Sequence, residues 1–295
     1  MKKKKKKLLA TLEAIIEPLY AGSYGIGSEG SELFKALSRS IAEEGEFNFV
    51  KLMFSSNLVK RVELDELVLG WQVTNQDKQN SPEILSTCES LINLCRSHLT
   101  NIEAYQFNNY GDEVGDVAAD GYTGYELFYF LIGQTKDGDW IGISPLFSEA
   151  DSYDYGEIYT REDRSPSTAA KSFLDNLEPI VKDFKPGIIL YTPQASKGII
   201  LEVACDIECL IEKILESSHM LKTYHFRGFC DDEDVSRIEK ERREYSFKEL
   251  DEFFKNNLQD SRIYVLGNWA DFRLYLIGKT QTGDWLGTST LATWT

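Results

Sequence analysis

The residues that most often do chemistry in proteins are scarce in this chain. It has three histidines, His98, His219 and His225. None belongs to an H-E-x-x-H pair or stands near a G-x-S-x-G turn, so a zinc hydrolase or a serine nucleophile would lack its partners. His225 lies close to Asp231, Asp232, Glu233 and Asp234, but no Cys/His ligand spacing goes with it, and the charged run 231–244 reads as a solvated helix or loop. The five cysteines, Cys88, Cys95, Cys205, Cys209 and Cys230, are odd in number and form no C-x-x-C. Spacings of seven and four residues put Cys88 with Cys95 and Cys205 with Cys209 on helical faces as small apolar fillers. Gly22, Gly25, Gly27 and Gly30 follow a helix without G-K-[ST], which excludes a phosphate loop. The expectation is a chain that is no enzyme and has no cofactor of its own.

Charge narrows the partners. The chain carries 32 basic and 48 acidic side chains, a net of −16, and six of the basic ones are the run Lys2 to Lys7. Residues 8–160 hold 8 basic against 25 acidic groups, net −17; residues 161–295 hold 18 against 23, net −5. Such a surface repels phosphate backbones, so direct nucleic-acid binding is not expected even though Tyr122, Tyr125, Phe128, Tyr129 and Phe130 have faces on which bases stack. It attracts proteins that are basic where they bind nucleic acid. Asp112, Glu113, Asp116 and Asp120 cluster in a glycine-rich stretch, but EF-hand spacing is absent and a solvated acidic loop is the expectation. Glu13 cuts the apolar run after the lysines too short for a signal peptide, and no run is long enough for a membrane helix. The lysines read as a solvated tail before a helix, and the protein as cytoplasmic, with no membrane partner.

The elements around these residues repeat. Residues 131–144 read LIGQTKDGDWIGIS and residues 276–289 read LIGKTQTGDWLGTS, with nine of fourteen positions identical. Aromatic and aliphatic runs on either side of Asp137-Gly138 and Thr282-Gly283 predict two β-hairpins, each with a tryptophan, Trp140 or Trp285, packed across its sheet. Helical stripes precede each hairpin, Pro82 to Leu99 and Tyr245 to Leu258, the second with Ser246 as its cap. Strands follow at Ile102 to Phe107 and Ile263 to Leu266. Opening helices are expected at Leu8 to Leu19 and Ala169 to Phe184. The pattern predicts an α+β chain of two tandem copies, residues 8–150 (strongly acidic) and 168–295, joined by a linker over 148–167.

At the hairpins the chain resembles a known family. Ile263-Tyr264-Val265-Leu266-Gly267, Leu274 to Thr280 and Leu286 to Thr290, ending at Thr295, resemble the C-terminal signature of the nuclease A inhibitor family. The first copy matches through Val62 to Leu67 and Tyr129 to Ser144. The resemblance implies two tandem α/β/α sandwich domains, each with a mainly antiparallel central sheet flanked by helices. It implies an acidic plug for the basic active-site groove of a metal-dependent, sugar-nonspecific nuclease; the alternative is a non-inhibitory interaction or ligand-binding module that kept the fold. Thr295, with Trp294 beside it, corresponds to the end that reaches the nuclease's metal, so the implied metal is a Mg²⁺ or Ca²⁺ ion held by the partner. A glutamate in the loop after the first helix contributes in the family. Direct alignment puts Gly22-Ser23-Tyr24-Gly25 and Tyr191-Thr192-Pro193-Gln194 there, and a gapped one puts Glu29 there. The expected partner-binding set is Thr295, Trp294, Glu29, Asp112, Glu113, Asp116 and Asp120. Neither the target nuclease nor the oligomeric state follows from the sequence.

Overall fold

Helical and strand periods alternate along the chain, and several helices start at a capping side chain: Asn48, Ser167 and Asp206. The computed structural model describes residues 2–19, 33–72, 82–111, 126–148, 158–159, 165–190, 192–229, 237–267 and 271–293. In chain order the elements are α1 (Lys2–Ile16), β1 (Lys35–Arg39), α2 (Ile41–Glu44), α3 (Phe49–Ser55), β2 (Val59–Val62), α4 (Leu64–Gln72), α5 (Pro82–His98), β3 (Thr100–Asn108), β4 (Glu126–Gln134) and β5 (Trp140–Leu146). They continue with α6 (Thr168–Val181), β6 (Gly187–Leu190), β7 (Thr192–Ala195), β8 (Gly198–Ala204), α7 (Ile207–Ser217), β9 (Leu221–His225), α8 (Arg237–Asn257), β10 (Leu258–Leu266), β11 (Asp271–Thr280) and β12 (Trp285–Thr293).

The chain divides into two compact units whose bounds differ from the stretches 8–150 and 168–295 expected from sequence. A central unit holds Asn48–Ala150 and Arg161–Leu221; a terminal unit holds Met1–Phe47, Asp151–Thr160 and Lys222–Thr295. The names refer to sequence position only.

The central unit is built on a sheet ordered β2-β3-β4-β5-β8, with β6 on β4 and β7 on β6. Its registered pairs are all antiparallel. Alternation along the strands sends successive side chains to opposite faces. Ala104, Leu131, Ile141 and Ile143 meet α4, α5 and α6 through Leu67, Trp71, Cys88, Leu91, Phe173 and Leu177. On the other face a Cβ at Gly142 would fall 2.4 Å from Ile214 and 3.3 Å from Leu210, so α7 lies directly on β5. Helices therefore cover both faces, the layering expected of a sandwich. The caps are local: Ser167 Oγ accepts from Ala170 N–H at the start of α6, and Asp206 from Cys209 N–H at the start of α7.

The terminal unit has the sheet order β1-β12-β11-β10-β9. Its core joins Leu12 and Ile16 of α1 to Phe247, Leu250 and Phe254 of α8 and to Ile263, Leu274, Leu276 and Leu286 of the sheet. The loop after β9 adds Phe229, whose ring lies 4.8 Å from that of Phe247.

Several sequence expectations change here. The six lysines are turns of α1 rather than a tail, because Leu8, Leu9 and Leu12 behind them pack on the terminal core. Ser246 lies inside α8, which starts at Arg237, rather than at a helix start. Cys205 is exposed and precedes α7; it fills no helical face. The linker is pinned at Ile158, which bridges Tyr224, and at Tyr159, whose N–H donates to the Thr223 carbonyl at 2.8 Å. Thr192–Ala195, aligned with a loop from sequence, is strand β7 paired to β6.

Candidate functional site

All seven expected site residues, Glu29, Asp112, Glu113, Asp116, Asp120, Trp294 and Thr295, lie outside the described residues. The described residues that flank them fall in two sets.

One set belongs to the terminal unit. β12 ends at Thr293, paired with Asp271 of β11, and delivers the chain to Trp294 and Thr295. On its other edge β12 pairs β1 antiparallel, Lys35 opposite Ser289 and Arg39 opposite Trp285. The residues before Lys35 therefore enter at the end where β12 runs out. Phe34 is buried there, edge-on to Phe247 at 5.9 Å, and its N–H donates to the carbonyl of buried Leu19 at 3.4 Å. Leu19 and Phe34, which bracket the stretch containing Glu29, thus meet at one hydrogen bond beside the end of β12.

The other set belongs to the central unit. Asn109 N–H donates to the Glu126 carbonyl at 3.3 Å, and Glu126 N–H donates to Asn109 Oδ1 at 3.0 Å. This reciprocal pair closes the neck of the acidic stretch 112–125. Asn109 and Glu126 are fully buried, so the neck is part of the core although the stretch reads as a surface loop.

The two GDW hairpins are structural. Thr280 N–H donates to the Asp284 carbonyl at 2.7 Å, Gly283 N–H to the Thr280 carbonyl at 2.9 Å, and Gly283 takes φ +88°. Asp284 is buried and accepts from Ile41 N–H at 3.2 Å; Asp139 is buried and accepts from Ser167 N–H at 2.7 Å. These carboxylates hold backbone rather than facing a ligand. Trp285 packs tilted against Phe47 at 4.8 Å, with Lys279 Nζ 5.7 Å from its ring and Glu46 3.8 Å from that lysine.

Electrostatically the units differ. The central unit holds 13 basic and 25 acidic side chains, net −12, and the terminal unit 19 and 23, net −4. The central unit also has an open groove of about 640 Å³ between α4 and α5, lined by Leu64, Val68, Leu69 and Leu85 and edged by Asp65 and Glu89. Sequence patterning passed over it; the available signal was Leu69 and Leu85, apolar residues outside the buried stripe. Cys88 and Cys95 are buried on α5, and burial pushes both thiols up to about 12. Among the described residues no group of three His, Cys, Asp or Glu is placed to hold a metal. Nor is any described helix long and apolar enough to cross a membrane.

A family model described as nuclease A inhibitor-like protein matches residues 211–295. That span runs from the middle of α7 through β9, α8, β10, β11 and β12. No curated protein matches the chain.

Proposed function

We propose that the chain is a protein inhibitor of a metal-dependent, sugar-nonspecific nuclease, an acidic plug for its active-site groove, and not itself an enzyme. The observation that carries this is the family match over 211–295, which spans the strands that run out toward Thr295. A nuclease groove is lined with Lys and Arg around a divalent cation. Carboxylate and hydroxyl oxygens at the end of the terminal unit are hard donors suited to Mg²⁺ or Ca²⁺. In this reading Thr295 reaches the ion that the nuclease holds, and Trp294 anchors the tail. Glu29 approaches from the stretch closed by Leu19 and Phe34. The chain has no cofactor of its own. The −12 of the central unit, with Asp112, Glu113, Asp116 and Asp120, steers the nuclease in and speeds capture. The site of action is the cytoplasm, a placement supported by free thiols at Cys88, Cys95, Cys205 and Cys209.

The test is DNA cleavage by a panel of such nucleases with Mg²⁺, with and without the chain. At least one nuclease is expected to be slowed, less so as salt rises. Deleting Thr295, or Glu29→Gln, should weaken that inhibition by tenfold or more. If no nuclease in the panel is slowed, inhibition is excluded and an interaction module that kept the fold takes its place.

A further inference from the structure

We propose that the chain contains two copies of one fold that have exchanged their opening segments. Residues 2–44 complete the sheet of the second copy, and residues 168–217 complete the sheet of the first. The proposal is independent of the inhibitor reading.

The register carries it. Trp140 lies opposite Gln134 on one side and Ala204 on the other. Trp285 lies opposite Lys279 and Arg39. Gly142 pairs Glu202, and Gly287 pairs Leu37. So β8 sits on β5 in the register that β1 has on β12. The helices that arrive with these strands also correspond. α6 packs on α5 through Phe173 and Leu177, as α1 packs on α8 through Leu12 and Ile16. Each begins at a hairpin tip: Ala169 N–H donates to Asp137 at 3.2 Å, and Lys4 Nζ donates to Gln281 at 3.4 Å.

The return routes match as well. α3 ends with Leu58 N–H on the Met53 carbonyl at 2.9 Å and Asn57 N–H on that of Phe54 at 3.2 Å. α7 ends with Met220 N–H on Leu215 at 2.8 Å and His219 N–H on Glu216 at 3.0 Å. Asn57 and His219 take φ 51° and 67°, the left-handed residue such a double bond requires. Further along, both meanders shift register once, between Thr100 and Glu103 and between Gln259 and Arg262, beside Asn101 and Asp260, each at φ 49°. Nine shared hairpin residues alone do not reach this far. A copy closed on itself would pair β1 with β5 and β8 with β12. Both edges are instead filled by the other copy's strand. An edge strand presents a row of unpaired N–H and C=O groups, which a strand of either copy satisfies.

The test uses the full chain with a protease sequence inserted within residues 150–156. After cleavage the two fragments should elute as one species under native conditions, since each holds a strand and a helix of the other's sheet. In the same chain, Lys35→Cys with Ser289→Cys, and Ser144→Cys with Ile200→Cys, should each form a disulfide joining the fragments on a non-reducing denaturing gel. Lys35→Cys with Ser144→Cys, both in the first fragment, should form no disulfide within it, read as two thiols that still react with a maleimide reagent under denaturing conditions. Native fragments that elute separately, or a 35–144 disulfide in place of the 35–289 one, would overturn the exchange. Nuclease inhibition is not measured, so failure here leaves that reading untouched.

Discussion

The hairpins of the two units make the same turn and then keep different company. Thr135 N–H reaches the Asp139 carbonyl at 2.8 Å and Gly138 N–H reaches Thr135 at 3.0 Å, within 0.1 Å of the bonds in the terminal hairpin. Beyond the turn, β5 pairs β8 over seven positions, while β12 pairs β1 over five. A Cβ on Gly142 would meet the flexible end of Ile214, but a Cβ on Gly287 would fall 2.2 Å from the backbone oxygen of Leu276. The shared residues specify a turn. What surrounds it, and how much substitution it tolerates, is set by residues the two hairpins do not share.

The sharpest way to break the comparison is at these glycines. Gly287→Ala should destabilise the terminal unit by about 3 kcal/mol, and Gly142→Ala the central unit by about 1 kcal/mol, because a side chain yields where a backbone carbonyl does not. Urea unfolding of both variants checks this; equal losses would mean that the two packings are alike. Next come the carboxylates that hold backbone. Asp139→Ala, losing a 2.7 Å bond to backbone, should cost about 2 kcal/mol, and Asp284→Ala, losing longer bonds of 3.2 and 3.3 Å, about 1 kcal/mol. The reverse order in thermal melts would reject that ranking.

A smaller effect separates the units by pH. Cys88 and Cys95 stand at about 12 in the folded central unit against 9.0 when exposed. Below pH 9 both states keep the thiol protons. From pH 9 to about 12 only the unfolded chain releases them, so the stability is lost as pH rises. Between pH 8 and pH 10 the central unit should lose about 1 kcal/mol per thiol, seen in urea midpoints. Cys88→Ala with Cys95→Ala should remove that loss; an unchanged slope would exclude the thiols as its source. The smallest change expected is a gain: His219→Gly relieves a left-handed backbone and should stabilise the end of α7 by about 1 kcal/mol, whereas Asp206→Ala at its start should cost about as much. Hydrogen exchange along α7 reads both.

What the sequence made legible was local. The stripe through Ile84, Cys88, Leu91 and Cys95 predicts α5, and Asp137-Gly138 predicts its turn, because neighbours within a few residues decide each. The pairing of β1 with β12 was not legible. Residues 35–39 carry no local signal for the edge they join, since their partner strand lies about 250 residues away. Six lysines argue against a helix by mutual repulsion, yet burial of Leu12 and Ile16 in the terminal core outweighs them. The candidate site was legible only as residue types. Its grouping, with Glu29 and Thr295 attached to one unit and Asp112 to Asp120 to the other, depends on strand partners.

Thr288 Oγ1 donates to the Lys35 carbonyl at 2.9 Å across 253 positions of sequence. During synthesis, therefore, β1 emerges long before the strand it joins exists. At roughly 5–20 residues per second the interval is on the order of ten to fifty seconds. Through it Leu12, Ile16, Leu19 and Phe34, all destined for the core, have nowhere to go. The central unit has all its residues once 221 have emerged, well before β12 is made. Six like charges flanking that apolar segment disfavour its self-association in the meantime.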